Sequence, residues 1–226
     1  MSTEASSDFL PSRDGLRFTN VWPHVPTIWL GPGIGVGTGR GIGLGDAADG
    51  LCGGMCFTAA DLRAARVAPP ENPAPPATAS PRYAYLVSRQ VASLDWLRLP
   101  LRFYAAMVAG PTRRASDMIR RDWPAIRAAI DAGHPAMLGL VRVSSANPFV
   151  LTRNHQVLAW AYALDGPRLT VRLYDPNHGP RDDVAIVLRL ADGGTSIAEL
   201  GQTTGEPLVA FFRAPYAPRD PGPWRA

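Results

Sequence analysis

The order in which two hydrophobic periodicities appear constrains this chain most. Up to Gly133 the apolar residues recur largely at helical spacing. From Ala136 they come in short runs bounded by turn residues: Ala136–Val143, His155–Leu164, Leu169–Tyr174, Val184–Leu190 and Leu208–Arg213. Asp165-Gly166-Pro167 reads as the hairpin turn between the second and third runs. Helices first and strands afterwards predict an α+β fold, not alternating βαβ units. With 226 residues, the chain is expected to form one domain over 1–226 without disulfide staples.

Within the helical half, the stretch from Met55 to Arg66 has strong helix formers. Its apolar residues Met55, Phe57, Ala59, Ala60 and Leu62 do not fall on one stripe. The helix is therefore predicted to be buried on several sides and central. Residues 67–121 read as a proline-rich connector followed by a helical insertion, with helices over Arg82–Leu97 and Leu101–Ala109. A further helix starts at Trp123-Pro124, with Asp122 as its N-cap and Gly133 as its end. Leu16–Trp22 alternates Leu16, Phe18, Asn20 and Trp22, which suits a short strand or extended arm. Residues 1–15 and 215–226 are expected as flexible tails.

All 23 basic residues are arginines, set against 19 acids, for a net charge of +4. They are scattered; Arg113/Arg114 and Arg120/Arg121 form the tight pairs and read as a solvated helix face. No nucleic-acid partner is expected. No apolar run approaches the ~18 residues of a membrane span, so no membrane partner is expected either. Met1–Leu10 carries Glu4 and Asp8 and lacks the parts of a signal peptide, which predicts a soluble, cytoplasmic protein. Gly31–Gly45 places eight glycines at alternate positions. That strict repeat fits no dinucleotide-binding turn, and a chain without lysine has no Walker motif. The tract is expected to be a mobile flap beside a cleft, with no nucleotide cofactor.

Three places carry chemistry. Cys52, in Gly50-Leu51-Cys52-Gly53-Gly54, stands where the central helix begins. Unpaired N–H groups and the dipole there favour a thiolate, the nucleophilic form, and can hold a developing oxyanion, with Gly53 among the donors. His155 opens an apolar run in Asn154-His155-Gln156-Val157, and Asp175 follows the next run in Tyr174-Asp175-Pro176-Asn177-His178. Each lies about ten positions from the intervening turn, which makes them cross-strand neighbours at one sheet end. The carboxylate can then orient the imidazole as a base for the thiol. Taken singly, each residue has an ordinary structural role available: a small buried thiol, a strand-end histidine, an Asx-turn cap. The joint arrangement points to catalysis.

A helix-borne Cys, a strand-start His and an Asp-Pro one strand on resemble the papain-like cysteine peptidase superfamily. The sequence C-G-G-M-C-F, followed by N-H-Q-V-L-A and Y-D-P-N, is most similar to the double-glycine leader peptidases. The resemblance covers roughly residues 50–66 and 123–190. It implies a central helix bearing the cysteine packed on an antiparallel sheet, and a Cys52–His155–Asp175 triad. It further implies peptide or amide hydrolysis through an acyl-enzyme on a peptide or protein substrate, with no cofactor and no metal. Cys56 is the alternative nucleophile, because Cys56-Phe57-Thr58-Ala59 echoes the papain pattern. The superfamily's usual upstream Gln is replaced by Asp46, or by Gly50 if Cys56 acts; Asn20 is the upstream amide that could substitute as an oxyanion donor. A zinc set of Cys52, Cys56, His155 and His178 would depart from the usual ligand spacing. An acyl transferase of transglutaminase or amidase type and an inactive peptide-binding module remain open as alternatives.

Overall fold

The computed structural model describes residues 2–24, 26–30, 42–46 and 50–225. The aliphatic run at 136–141 forms β4 (Ala136–Val141), buried at every position. Beside it lies β5 (His155–Asp165), then β6 (Arg168–Tyr174), β7 (Ala185–Ala191) and β8 (Ser196–Gln202), while β9 (Ala210–Arg213) flanks β4 on its other side. The sheet order is β8-β7-β6-β5-β4-β9, and every pairing is antiparallel. β5 is long enough to serve two neighbours on one edge. Its first half pairs with β4, and its second half pairs with β1 (Ser2–Ser6). The α+β class read from the sequence therefore holds, with β1 and β8 as strands the periodicity did not signal. β2 (Pro26–Leu30) and β3 (Ile42–Asp46) form a separate antiparallel pair. Residues 31–41 of the predicted glycine flap lie outside the described residues, and its end enters β3.

A short α1 (Pro11–Asp14) precedes the central helix α2 (Cys52–Ala64), which is buried at every residue from Gly53 to Leu62. This near-complete burial is what its lack of a single apolar stripe predicts. α2 is wedged between two cores. Cys56, Phe57, Ala59 and Ala60 pack with the sheet and with α4 (Arg98–Val108) and α6 (Trp123–Asp131). Leu51, Met55 and Leu62 pack with Leu16, Phe18, Trp22 and α3 (Pro81–Ser93). α3 starts where Ser80 accepts from the Tyr83 amide and Pro81 occupies the first turn.

Several expectations are corrected. α3 stops at Ser93, because Asp95 and Trp96 adopt positive φ (44° and 51°) and turn the chain into α4. Asp122 is not an N-cap: α5 (Pro111–Asp117) runs through a π turn at Met118–Asp122 straight into α6. The Asp122 carboxylate instead receives the Arg102 guanidinium and the Arg213 amide. Gly133 does end α6, at φ +84°. Leu16–Trp22 forms no strand, but its alternate residues Leu16, Phe18 and Trp22 are buried as an extended arm would bury them. Both ends expected as flexible tails are packed. Ser2–Ser6 completes the sheet as β1, and the C-terminal segment is pinned by Asp61. That fully buried carboxylate accepts from Tyr85, Arg89, Tyr216 and the Arg219 amide, and Trp224 inserts into the second core. No helix among the described residues is long and apolar enough to cross a membrane.

Candidate active site

α2 begins at Cys52, so its sulfur sits among the first-turn amides. The Gly53 and Gln156 amides and the His155 ring lie close enough to act on its charge. Leu51 N–H donates to Asn20 Oδ1 at 2.7 Å, and Gly54 N–H to Gln90 Oε1 at 2.8 Å. The Cys52 amide has no partner among the described residues. As the first amide of the helix it has no intrahelical acceptor.

His155 opens β5 and pairs in register with Leu140 of β4. Its Nε2 lies 2.7 Å from Asp175 Oδ1, which leaves Nδ1 as the nitrogen for Cys52. Asp175 Oδ1 also accepts from the Asn177 amide at 2.9 Å, the Asx turn expected of D-P-N. The route by which His155 and Asp175 meet differs from the expected symmetry about the turn. The β5–β6 hairpin closes with Asp165 opposite Arg168, and a bulge between Ala159 and Ala161 then shifts the register by one. Beyond it Leu158 faces Tyr174, so Asp175 continues beside Val157, two residues from His155 and on its face of the strand. Without the bulge Asp175 would fall opposite Leu158, on the other face. The two residues are diagonal neighbours, not opposite ones.

The electrostatics follow from this packing. Burial pulls the His155 imidazole down, but the Asp175 carboxylate, the Cys52 sulfur and the hydrogen bonds to both raise it to about 10. Burial pushes the Cys52 thiol up, yet the charge and hydrogen bond of His155 and the Gln156 and Gly53 amides bring it below the ordinary thiol range. Burial also opposes the Asp175 carboxylate, and the same imidazole with the Asn177 amide holds it below the usual carboxylate range. All three shifts favour a thiolate–imidazolium–carboxylate array.

The alternative nucleophile stands elsewhere. Cys56, one turn into α2, is fully buried and donates to the Gln156 carbonyl at 3.6 Å. Burial and the nearby Cys52 and Asp175 charges push its thiol well up, against reactivity. Asn20 is brought to the helix N-terminus as hoped, but its Oδ1 accepts from Leu51 and Trp22 and its Nδ2 donates to Asn177 at 3.0 Å. It staples the arm to the site. Gly53 serves by its amide and its lack of a Cβ, which would sit 2.3 Å from Ser93 Oγ and 2.5 Å from Gln156 Nε2. Gln156, Gln90 and Ser93 are the residues sequence reasoning missed; for Gln156, adjacency to His155 in N-H-Q-V was the available signal. The zinc set does not assemble, since His178 is turned to Glu206 at 3.2 Å and Cys56 lies buried against Gln156. A cavity of about 650 Å³ between α4, α5 and β9 is lined by none of these residues.

No family model, curated protein or solved structure matches the chain.

Proposed function

We propose that the protein is a cysteine-nucleophile amide hydrolase with a papain-like arrangement, cleaving a peptide or protein substrate through an acyl-enzyme. One observation carries this reading: at the start of a buried helix Cys52 meets His155, whose ring is hydrogen-bonded in turn to Asp175. The Cys52 thiolate attacks the amide carbonyl carbon. The oxyanion that forms is placed at the helix N-terminus, where the Cys52 amide is the available donor. Collapse breaks the C–N bond as imidazolium Nδ1–H gives its proton to the leaving amine, leaving a thioester on Cys52. His155, now neutral, takes a proton from water; the hydroxide attacks the thioester, and the thiolate and imidazolium are regenerated with release of the acid. Asp175 keeps the ring in the orientation that aims Nδ1 at sulfur. No step in this scheme calls on a cofactor. Engagement of Asn20 by three partners favours one variant of the reading, a peptide-binding module of the same arrangement with weak turnover.

The test is alkylation by iodoacetamide at neutral pH, with the adduct located by mass spectrometry, followed by a peptide-library digest. Cys52→Ala should abolish fast labelling and all cleavage, while Cys56→Ala should retain the labelling. Fast labelling that resides on Cys56, or none at either cysteine, overturns the assignment. Labelling without cleavage leaves the weak-turnover module.

A further inference from the structure

Asp175 uses one oxygen for His155 and Asn177. The other, Oδ2, is fully buried and accepts no hydrogen bond among the described residues. A buried carboxylate oxygen without a donor is costly unless a charge faces it. The group facing it is Arg142, whose Nη2 lies 3.9 Å away and 3.2 Å from Glu206 Oε1. Arg142 follows directly on β4, so β4, β5 and β6 present Arg142, His155 and Asp175 side by side at one end of the sheet. Glu206 is held in turn by the Thr204 hydroxyl at 2.7 Å and by His178 at 3.2 Å.

The contrast with Arg114 separates a scaffold arginine from this one. Arg114 is saturated by the carbonyls of Ala106 and Met107 and by Ser144 Oγ, at 2.7, 2.6 and 2.7 Å. Arg142 Nε and Nη2 are buried and make no hydrogen bond among the described residues. Its contacts with Asp175 and Glu206 are contacts of charge, which build little structure but act on the field at the carboxylate. The same guanidinium faces two members of a cluster of Asp175, His178 and Glu206, whose ligating atoms all lie within 4.8 Å of one another.

We propose that Arg142 is a positioning residue for the Cys52–His155–Asp175 array: its guanidinium supplies the counter-charge to the second oxygen of Asp175 and keeps that carboxylate turned toward His155, and Glu206 tethers Arg142 in place. The inference rests on the reading of Cys52 as the nucleophile. Among the described residues, His155, Arg142, His178 and the Asn177 amide face the carboxylate, and the Glu206 carboxylate, the Cys56 thiol and the Tyr174 phenol are close enough to feel its charge. Without the Arg142 charge, Asp175 takes up a proton at higher pH, His155 loses its partner, and the thiolate is lost at higher pH.

The experiment is the pH profile of iodoacetamide alkylation at Cys52, which needs no substrate. In Arg142→Met the acid limb should move up by about one pH unit, the lower end of what a facing charge contributes. Arg142→Lys, which keeps the charge, should restore most of the parental profile. Arg142→Gln, which keeps a polar side chain but loses the charge, should shift the limb as Arg142→Met does. A merely structural role would lower the melting temperature without moving the limb. If Arg142→Met folds and its limb coincides with the parent's, the inference is overturned. If Arg142→Met does not fold, Arg142→Gln decides: an upward shift supports the inference and an unmoved limb overturns it. Failure of the parent to alkylate rapidly at Cys52 would sink the hydrolase reading, and this inference with it. Rapid parental alkylation with unmoved variants sinks the inference alone.

Discussion

Gly54→Ala sets two effects of opposite sign against each other. Gly54 is the third residue of α2, inside a helix, where alanine is favoured over glycine by about 1 kcal/mol. On propensity alone the substitution stabilises. The tertiary structure opposes it. A Cβ on Gly54 would lie 2.3 Å from the Leu86 carbonyl oxygen, 3.0 Å from Gln90 N and 3.1 Å from Gln90 Cβ. Two of these atoms are α3 backbone and cannot swing aside as a side-chain tip would. α3 must retreat by about 1 Å to restore ordinary contact, opening the core built on Leu51, Met55, Tyr83 and Leu86. It would also stretch the 2.8 Å bond from Gly54 N–H to Gln90 Oε1. Overpacking of this kind costs about 1–3 kcal/mol. With backbone as the obstacle the upper part of that range applies, so the net expectation is a loss of about 1–2 kcal/mol. Urea denaturation followed by circular dichroism measures it. Gly110→Ala is the control, because a Cβ there meets nothing within 4 Å and should change stability by under about 0.5 kcal/mol. A Gly54→Ala midpoint equal to or above the parent's would refute the claim that helix approach, not helix propensity, governs this position.

Asp61→Ala should cost about 3–5 kcal/mol, since it strands the buried Arg89 guanidinium and the Tyr85 and Tyr216 hydroxyls. The same variant should make the C-terminal segment the first site of limited proteolysis; an unchanged urea midpoint would show that the network is not holding that segment. Asp175→Asn removes the charge that lifts His155 to about 10. The pH window of fast Cys52 alkylation should then narrow from both sides, the alkaline limb falling toward the ordinary imidazole range and the acid limb rising; a profile like the parent's would remove Asp175 from the array. Its effect on folding has a defined sign. The parent's raised His155 contributes stability fully below about pH 6.5, lost as pH climbs through about 10. The lowered Asp175 contributes above the usual carboxylate range, lost on acidification. In Asp175→Asn both slopes should flatten in pH-dependent thermal melts.

Element types and the chemistry-bearing residues were legible because they depend on local pattern. The change from helical to strand spacing near residue 135 places α2, α3, α4 and α6 before β4 to β7. The apolar character around α2 announces its burial on both sides, and Gly50-Leu51-Cys52-Gly53 announces a thiol at a helix start. The difference in burial between Cys52 and Cys56 was also legible locally, because one opens the helix and the other lies one turn inside it.

What local pattern could not decide is whatever depends on register or on distant chain. His155 and Asp175 were expected as cross-strand neighbours about the Asp165-Gly166-Pro167 turn, and they are. What the sequence did not show is that they meet diagonally, because one extra residue at the Ala159/Ala161 bulge changes which face Asp175 takes. Nothing in the β5 sequence marks that residue, since both faces of the strand there are apolar. Asn20 reached the helix N-terminus as an amide should, but its partners Leu51, Trp22 and Asn177 come from three parts of the chain and turn it into a staple. The chain ends read as polar tails because β1 and the 214–225 segment are stabilised by partners far away, Tyr162 and its neighbours in β5 for one and Asp61 for the other. Arg142 and Glu206 carry no motif at all. Single charges acquire meaning when the sheet sets β4 beside β5 and β6, and only the tertiary fold brings a guanidinium to the buried Asp175 oxygen that accepts no hydrogen bond among the described residues.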